Sequence, residues 1–365
     1  MDESLDNRWE PIWFTSFCTK DETDRIINPR SPIDFLLRER ADVVADHMRY
    51  QRVYMNKARL SRNWSFEQSF IVRHYNGVLN RLTEEDRLEC KDITFGDMFS
   101  NDVNGYAWKD KQWGRFISLN ESLNFYMKFC NLAIMEFGEQ VPDDVKKNAL
   151  RIALRVMLKQ EAMDFFMDPR GIVPRKIGTE IHRPIPYELQ YIAGHEFAHH
   201  LCGHLDDKSV SKKMMLKIGD KEYYKPIYNT SQLQEFEADM ASLTRPQYAE
   251  DEYLKLLEGA LLWFISLGLA EKAQNIIDPA LAFGVKTHPT AEERYNYILE
   301  NVRIPDGFDR KHMESIKENA KYMGEFLEND LSDHYELYDF YGSCYLAAPD
   351  TEWRGKQLID RVDYY

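Results

Sequence analysis

GHEFAH, residues 194–199, decides how the rest of the chain is read. Two histidines four apart on a helix project from one face about one turn from each other, so His195 and His199 can reach a single metal ion. The helix that carries them is expected across 187–202, with Gly203 where a left-handed cap after the last turn would fall. Zinc takes neutral imidazole nitrogen, and a catalytic zinc site has three protein ligands with the fourth position left for water. Glu196, next to the first ligand, is placed to take a proton from that water. One route to a third ligand is a histidine six residues beyond the second, but position 205 holds Leu205. The other common route is a glutamate on a later helix, and EFEAD at 235–239 offers Glu235, with Asp239 one turn on to accept a hydrogen bond from a ligand histidine. Glu237 points away from Glu235 on such a helix and is assigned to the surface. His200 and His204 are assigned to helix-end or solvent roles.

Outward from this motif the chain reads as mostly helical. Residues 31–85 place apolar side chains three and four apart with charges between, a helical preface. The period breaks at DITFGDMFSNDVNGYAW (92–108), and RFISLN (115–120) reads as a short strand. Helices are expected near 121–137 and 143–166. A proline-rich stretch, DPRGIVPRKIGTEIHRPIP (168–186), is expected to be a long loop. KMMLKIGDKEYYKPIYN (213–229) gives a hairpin around Gly219 and Asp220. Helices follow at 231–243, 252–277, 291–302 and 310–327, and the aromatic tail from 330 is expected to pack on something. The fold class is therefore mainly α with a small β-sheet (α+β). Three regions are drawn: 1–92, helical; 93–303, the metallopeptidase domain; and 304–365, a helix with an acidic, aromatic tail.

A third string, THPTAEER at 287–294, has Pro289 starting a helix with His288 just before it. HExxH, EFEAD and THPTAEER, in that order, resemble the CAAX prenyl endopeptidases and heat-shock membrane metallopeptidases, a gluzincin family that shares an HPxxxxR element. VNGYAWKDKQWGRFISLNESL (103–123) is similar to that family's NAFA stretch and the edge strand after it. The resemblance spans roughly residues 100–300. It implies a zincin-type metallopeptidase core with a helical N-terminal extension, and one Zn2+ per chain on His195, His199 and Glu235. It also implies an extended protein or peptide substrate paired along 115–120, the strand of Arg115 and Asn120. His288 would then assist at the cleft as a donor to the developing oxyanion, with Tyr223 or Tyr224 as alternatives. The other reading makes His288 a cap of the last core helix, with Arg294 in a buried ion pair to an acidic residue. The chain departs from the family in carrying no membrane spans, about seventy residues between the edge strand and HExxH, and Gly105 in place of alanine. Soluble relatives with the same type of zinc site, such as the phage-exclusion peptidase Lit and ImmA-like regulator-cleaving proteases, suit it better.

Composition narrows the function. A formal charge of -14, from 61 acidic and 47 basic residues, argues against a surface that tracks phosphates, so no nucleic-acid partner is expected. The five cysteines form no CxxC pair, which fits a reducing compartment. Residues 1–10 lack the basic start and apolar stretch of an export signal. The longest apolar run, GALLWFISLGLA (259–270), has 12 residues, against the ~20 a bilayer demands. A cytoplasmic protein without a membrane partner is expected, and its oligomeric state is not legible. The expected function is a soluble zinc-dependent endopeptidase acting on a limited set of proteins. The alternative is a non-catalytic, zinc-containing interaction module. Glu196 argues against that alternative, because a structural zinc is closed by four protein ligands and has no use for a base beside it.

Overall fold

The structure, a computed structural model, describes residues 10–98, 105–206, 211–218, 221–228, 232–278 and 289–355. Six helices come first: α1 (Glu10–Phe14), α2 (Lys20–Ile27), α3 (Pro32–Asp46), α4 (Met48–Leu60), α5 (Arg73–Leu79) and α6 (Glu84–Glu89). Strands β1 (Ile93–Phe95), β2 (Gly105–Asp110) and β3 (Gly114–Leu119) lead into α7 (Ser122–Ile134), α8 (Asp143–Met157), α9 (Arg175–His182) and α10 (Ile185–Leu201). Hairpin strands β4 (Ser211–Ile218) and β5 (Lys221–Tyr228) precede α11 (Gln232–Thr244) and α12 (Glu250–Ile277). The last helices are α13 (Ala291–Asn301), α14 (Arg310–Asp333) and α15 (Glu336–Asp339). The protein is mainly helical with a small mixed sheet, an α+β arrangement. One apolar core draws on residues from Phe14 to Trp353.

The metal-motif helix α10 lies inside that core, packed against α5, α7, α11, α12, β2 and β3. Its residues from Tyr191 through His200 are buried, so it has no polar stripe and its hydrophobicity follows no single face. Proline in the first turn fits because no backbone N–H is needed there. The helix stops at Cys202, and Gly203 takes the left-handed backbone at φ 72° that the sequence anticipates.

The sheet order is β1-β3-β2, with β1 parallel and β2 antiparallel to β3. The strand expected at 115–120 is present as β3, but it lies in the middle of the sheet and not at its edge: Arg115 pairs with Ile93 on one side and Lys109 on the other. Among the described residues, the edge next to α10 belongs to β2. Its aromatic residues Tyr106 and Trp108 had been hidden among turn-forming residues. Asp110 Oδ1 accepts from the backbone amides of Gln112 (2.7 Å) and Trp113 (2.8 Å) to turn the chain between β2 and β3.

Two helix boundaries also differ from expectation. α8 ends at Met157, after which Lys159 takes positive φ. The stretch expected as loop at 168–186 contains α9, because the chain between Pro174 and Pro184 is long enough for two turns and neither ring falls inside them. The hairpin is present as expected, with Ile218 opposite Lys221. α12 is long and apolar enough to cross a bilayer by length and composition, yet its central residues from Gly259 through Ser266 are all buried in the fold.

The tail packs through a buried charge cluster. Glu161 accepts from Arg155 Nε at 2.9 Å and from Arg170 Nε at 2.7 Å, and Arg170 also reaches Asp164 at 2.6 Å. Tyr345 donates to Asp168 at 2.6 Å. Backbone bonds from Ala162 to Gly342, Leu346 to Arg170 and Ile172 to Trp353 then lay the tail across this loop. Each buried cation is thereby both paired and hydrogen-bonded, the condition for tolerating charge in a core.

Candidate metal centre

One helical turn on α10 sets the His195 and His199 rings perpendicular, with centroids 4.6 Å apart and Nε2 atoms 3.0 Å apart. Glu235, in the first turn of α11, turns its carboxylate to both. Oε2 lies 3.4 Å from His195 Nε2 and Oε1 lies 3.6 Å from His199 Nε2. Ligand atoms placed tetrahedrally about 2.0–2.1 Å from zinc are roughly 3.3–3.5 Å apart, so the two nitrogens and the carboxylate oxygens that face them already stand near the spacing that the ion demands. All three side chains are buried, and a buried cluster of two imidazoles and one carboxylate is a donor set that suits a divalent metal. His195, His199 and Glu235 form a candidate metal-binding group, the set expected from the sequence.

Asp239 lies behind them, one turn on from Glu235. Its Oδ1 is 2.9 Å from His195 Nδ1 and accepts from the Tyr191 hydroxyl at 2.7 Å. Arg294 approaches from α13 and donates to both Asp239 oxygens at 2.7 and 2.6 Å, with Glu235 Oε2 3.4 Å away. The guanidinium is thus the buried counter-ion of two carboxylates. Burial works against the Asp239 anion, but Arg294 beside it holds its carboxyl below the usual range.

Glu196 is buried under β2. Burial pushes its carboxyl up to about 7 against the opposing charge of His195, and the Ala107 backbone amide hydrogen-bonds to it. The close approach depends on Gly105, where an added Cβ would meet Glu196 Oε1 at 2.9 Å and Ile192 Cγ2 at 2.9 Å.

Two residues, His200 and His204, make contacts that the sequence does not anticipate. His200 is buried, with Nε2 3.0 Å from the Phe116 carbonyl, and so ties α10 to β3. Burial lowers its imidazole to about 4, so it serves as a neutral donor. His204 is buried as well, with Nδ1 2.9 Å from His199 Nδ1 and Nε2 3.2 Å from the exposed Glu237 carboxylate. Gly203 is the sequence signal for the turn: left-handed backbone there reverses the chain and brings position 204 back to the helix end. Glu237 is on the surface as expected, but it has a partner.

The helix after THP begins at Ala291, capped by Thr290, whose hydroxyl accepts from the Glu293 amide while Glu293 accepts from the Thr290 amide. The cap is therefore Thr290, not His288. His288 lies outside the described residues, as do the side chains of Tyr223 and Tyr224. No protein family, curated protein or solved structure matches the chain.

Proposed function

We propose that the chain is a zinc-dependent endopeptidase of the gluzincin type, built on a zincin-like core. The observation that carries this reading is the convergence of His195 Nε2 and His199 Nε2, 3.0 Å apart, on the Glu235 carboxylate, whose Oε2 is 3.4 Å from the first and whose Oε1 is 3.6 Å from the second. Zinc held there would supply a Lewis acid for a peptide carbonyl and lower the pKa of water at the open position. Asp239 would fix the His195 ring and tautomer, and Arg294 would hold Asp239 and Glu235 in place.

Glu196 would take the proton that an attacking water sheds and return it to the leaving amine. Burial holds that carboxyl up in the metal-free site, and a cation beside it would favour the anion that takes the proton. The substrate would lie extended beside β2, the strand packed against α10. His288 stays a candidate oxyanion donor on the resemblance alone. The five unpaired thiols suit a cytoplasmic setting.

The test is Glu196→Gln. Its amide cannot take the proton, so the variant should fold and bind zinc as the wild type does while losing nearly all hydrolysis. Both forms are expressed in the same cells and the proteome is searched for chains that only the wild type shortens. If no protein is shortened by the wild type and left whole by the variant, the peptidase reading is withdrawn and only the metal site is kept.

A further inference from the structure

The turn at Gly203 leaves a second donor group beside the first. Cys202 Sγ, His204 and Glu237 each offer an atom within 4.8 Å of the others. We propose that these three residues form a second metal site, for a thiophilic divalent cation such as zinc, and that filling it removes the hydrogen bond that orients His199. The site stands on its own residues; the effect on His199 rests on the zinc reading of the first site.

The donor set is a thiolate, an imidazole and a carboxylate, all of them zinc ligands. His204 Nε2 and Glu237 Oε2 are 3.2 Å apart, close to the roughly 3.3 Å edge of a tetrahedral site. Glu237 is exposed and Cys202 half-buried, so a cation can reach them from solvent. Arg245, which approaches Cys202, is shared with Asp86 at 2.8 Å, so its charge does not fall on the site alone.

Proton positions couple this site to the first. When His199 gives its Nε2 lone pair to a metal, its one ring proton sits on Nδ1 and is donated across 2.9 Å to His204 Nδ1. His204 then carries its own proton on Nε2 and donates it to Glu237. A cation at His204 Nε2 needs that nitrogen bare. The Cys202 thiol proton leaves with it, and a neutral His204 ring must move its remaining proton to Nδ1. Two N–H groups would then face each other at 2.9 Å, so one ring turns away and His199 loses its acceptor.

Cobalt(II) separates the two sites, because the first contains no sulfur and the second does. Titrating the full-length apoprotein should produce a near-ultraviolet thiolate-to-cobalt charge-transfer band with the second equivalent. The band should vanish in Cys202→Ala, weaken strongly in Glu237→Gln, and persist in His195→Ala, where only the first site is broken. No band in the wild type at excess cobalt, or a band undiminished in Cys202→Ala, overturns the site. With both sites filled, cobalt in the first should be held 10–100-fold more weakly than in Cys202→Ala, the loss expected when a ligating histidine loses its outer hydrogen bond. Equal affinity in the two proteins overturns the coupling and leaves the first-site reading untouched.

Discussion

His195 Nδ1 lies 2.9 Å from Asp239 Oδ1, which commits the other ring nitrogen, Nε2, to the cluster shared with His199 and Glu235. Asn at position 239 would keep the shape of the side chain but lose the charge that faces both His195 and Arg294. Asp239→Asn should therefore retain the fold, since Glu235 still faces Arg294 at 3.4 Å, and should lose roughly 10–100-fold in zinc affinity. Competition against a chelator measures this, and wild-type affinity in the variant would make Asp239 a purely structural partner of Arg294.

Zinc binding should expel a proton from His195. Burial alone would lower this imidazole, but hydrogen bonds to Asp239 and Glu235 outweigh it and raise it to about 10, so the apoprotein holds the ring protonated at pH 8. A metal needs the neutral nitrogen, and its affinity should rise with pH until the ring is neutral without help, near 10. Calorimetry at pH 8 in buffers of different ionisation enthalpy should show at least one proton released per zinc. Buffer-independent heats would contradict the assignment.

Gly105→Ala should destabilise the protein by about 1–3 kcal/mol, the usual range for overpacking. An added Cβ would sit 2.9 Å from both Glu196 Oε1 and Ile192 Cγ2, and Ile192 is anchored in the core helix. The sign is diagnostic, because alanine in an open strand position stabilises relative to glycine. Denaturant unfolding decides it, with zinc content unchanged as the control.

Glu188 is a buried acid on α10 whose Oε1 has no hydrogen-bond partner. Burial raises its carboxyl to about 8, with the Asn131 amide opposing. A folded pKa above the unfolded one means that stability is fully present below about 4.5 and is lost as pH rises toward 8. Glu188→Gln should thus gain roughly 1–3 kcal/mol over wild type at pH 8, well short of the full linkage value, and the gain should fade by pH 4.5. Thermal unfolding at both pH values tests this, and a pH-independent difference would refute it.

The centre was legible because its spacing is set within single helices. His195 and His199 share a turn of α10, Glu235 and Asp239 share a turn of α11, and local periodicity places each pair. The strand order was not legible, because whether RFISLN is central or at an edge depends on 93–95 and 105–110 folding back onto it. Short strands among Gly, Asn and Asp give little periodic signal. His204 keeps the helix-end place expected of it, but its contact with His199 is not legible, because helical angles stop applying at Gly203. α9 is hidden because its prolines read as breakers of the whole stretch, whereas Pro174 and Pro184 bound the helix from outside.

The cluster of Arg155, Arg170 and Glu161 fixes an order of events. Its charges belong to the middle of the chain, but the strap that covers them, from Gly342 to Trp353, is synthesised nearly two hundred residues later. A nascent chain can settle α10 and its neighbours early, yet it cannot seal that loop until the strap has left the ribosome. A chain halted before the strap would display two arginines with their carboxylates open to water, a local unfolding site that proteases can enter. The order of synthesis is in this sense written into the packing, as a clasp that the chain can fasten only after its later residues have emerged.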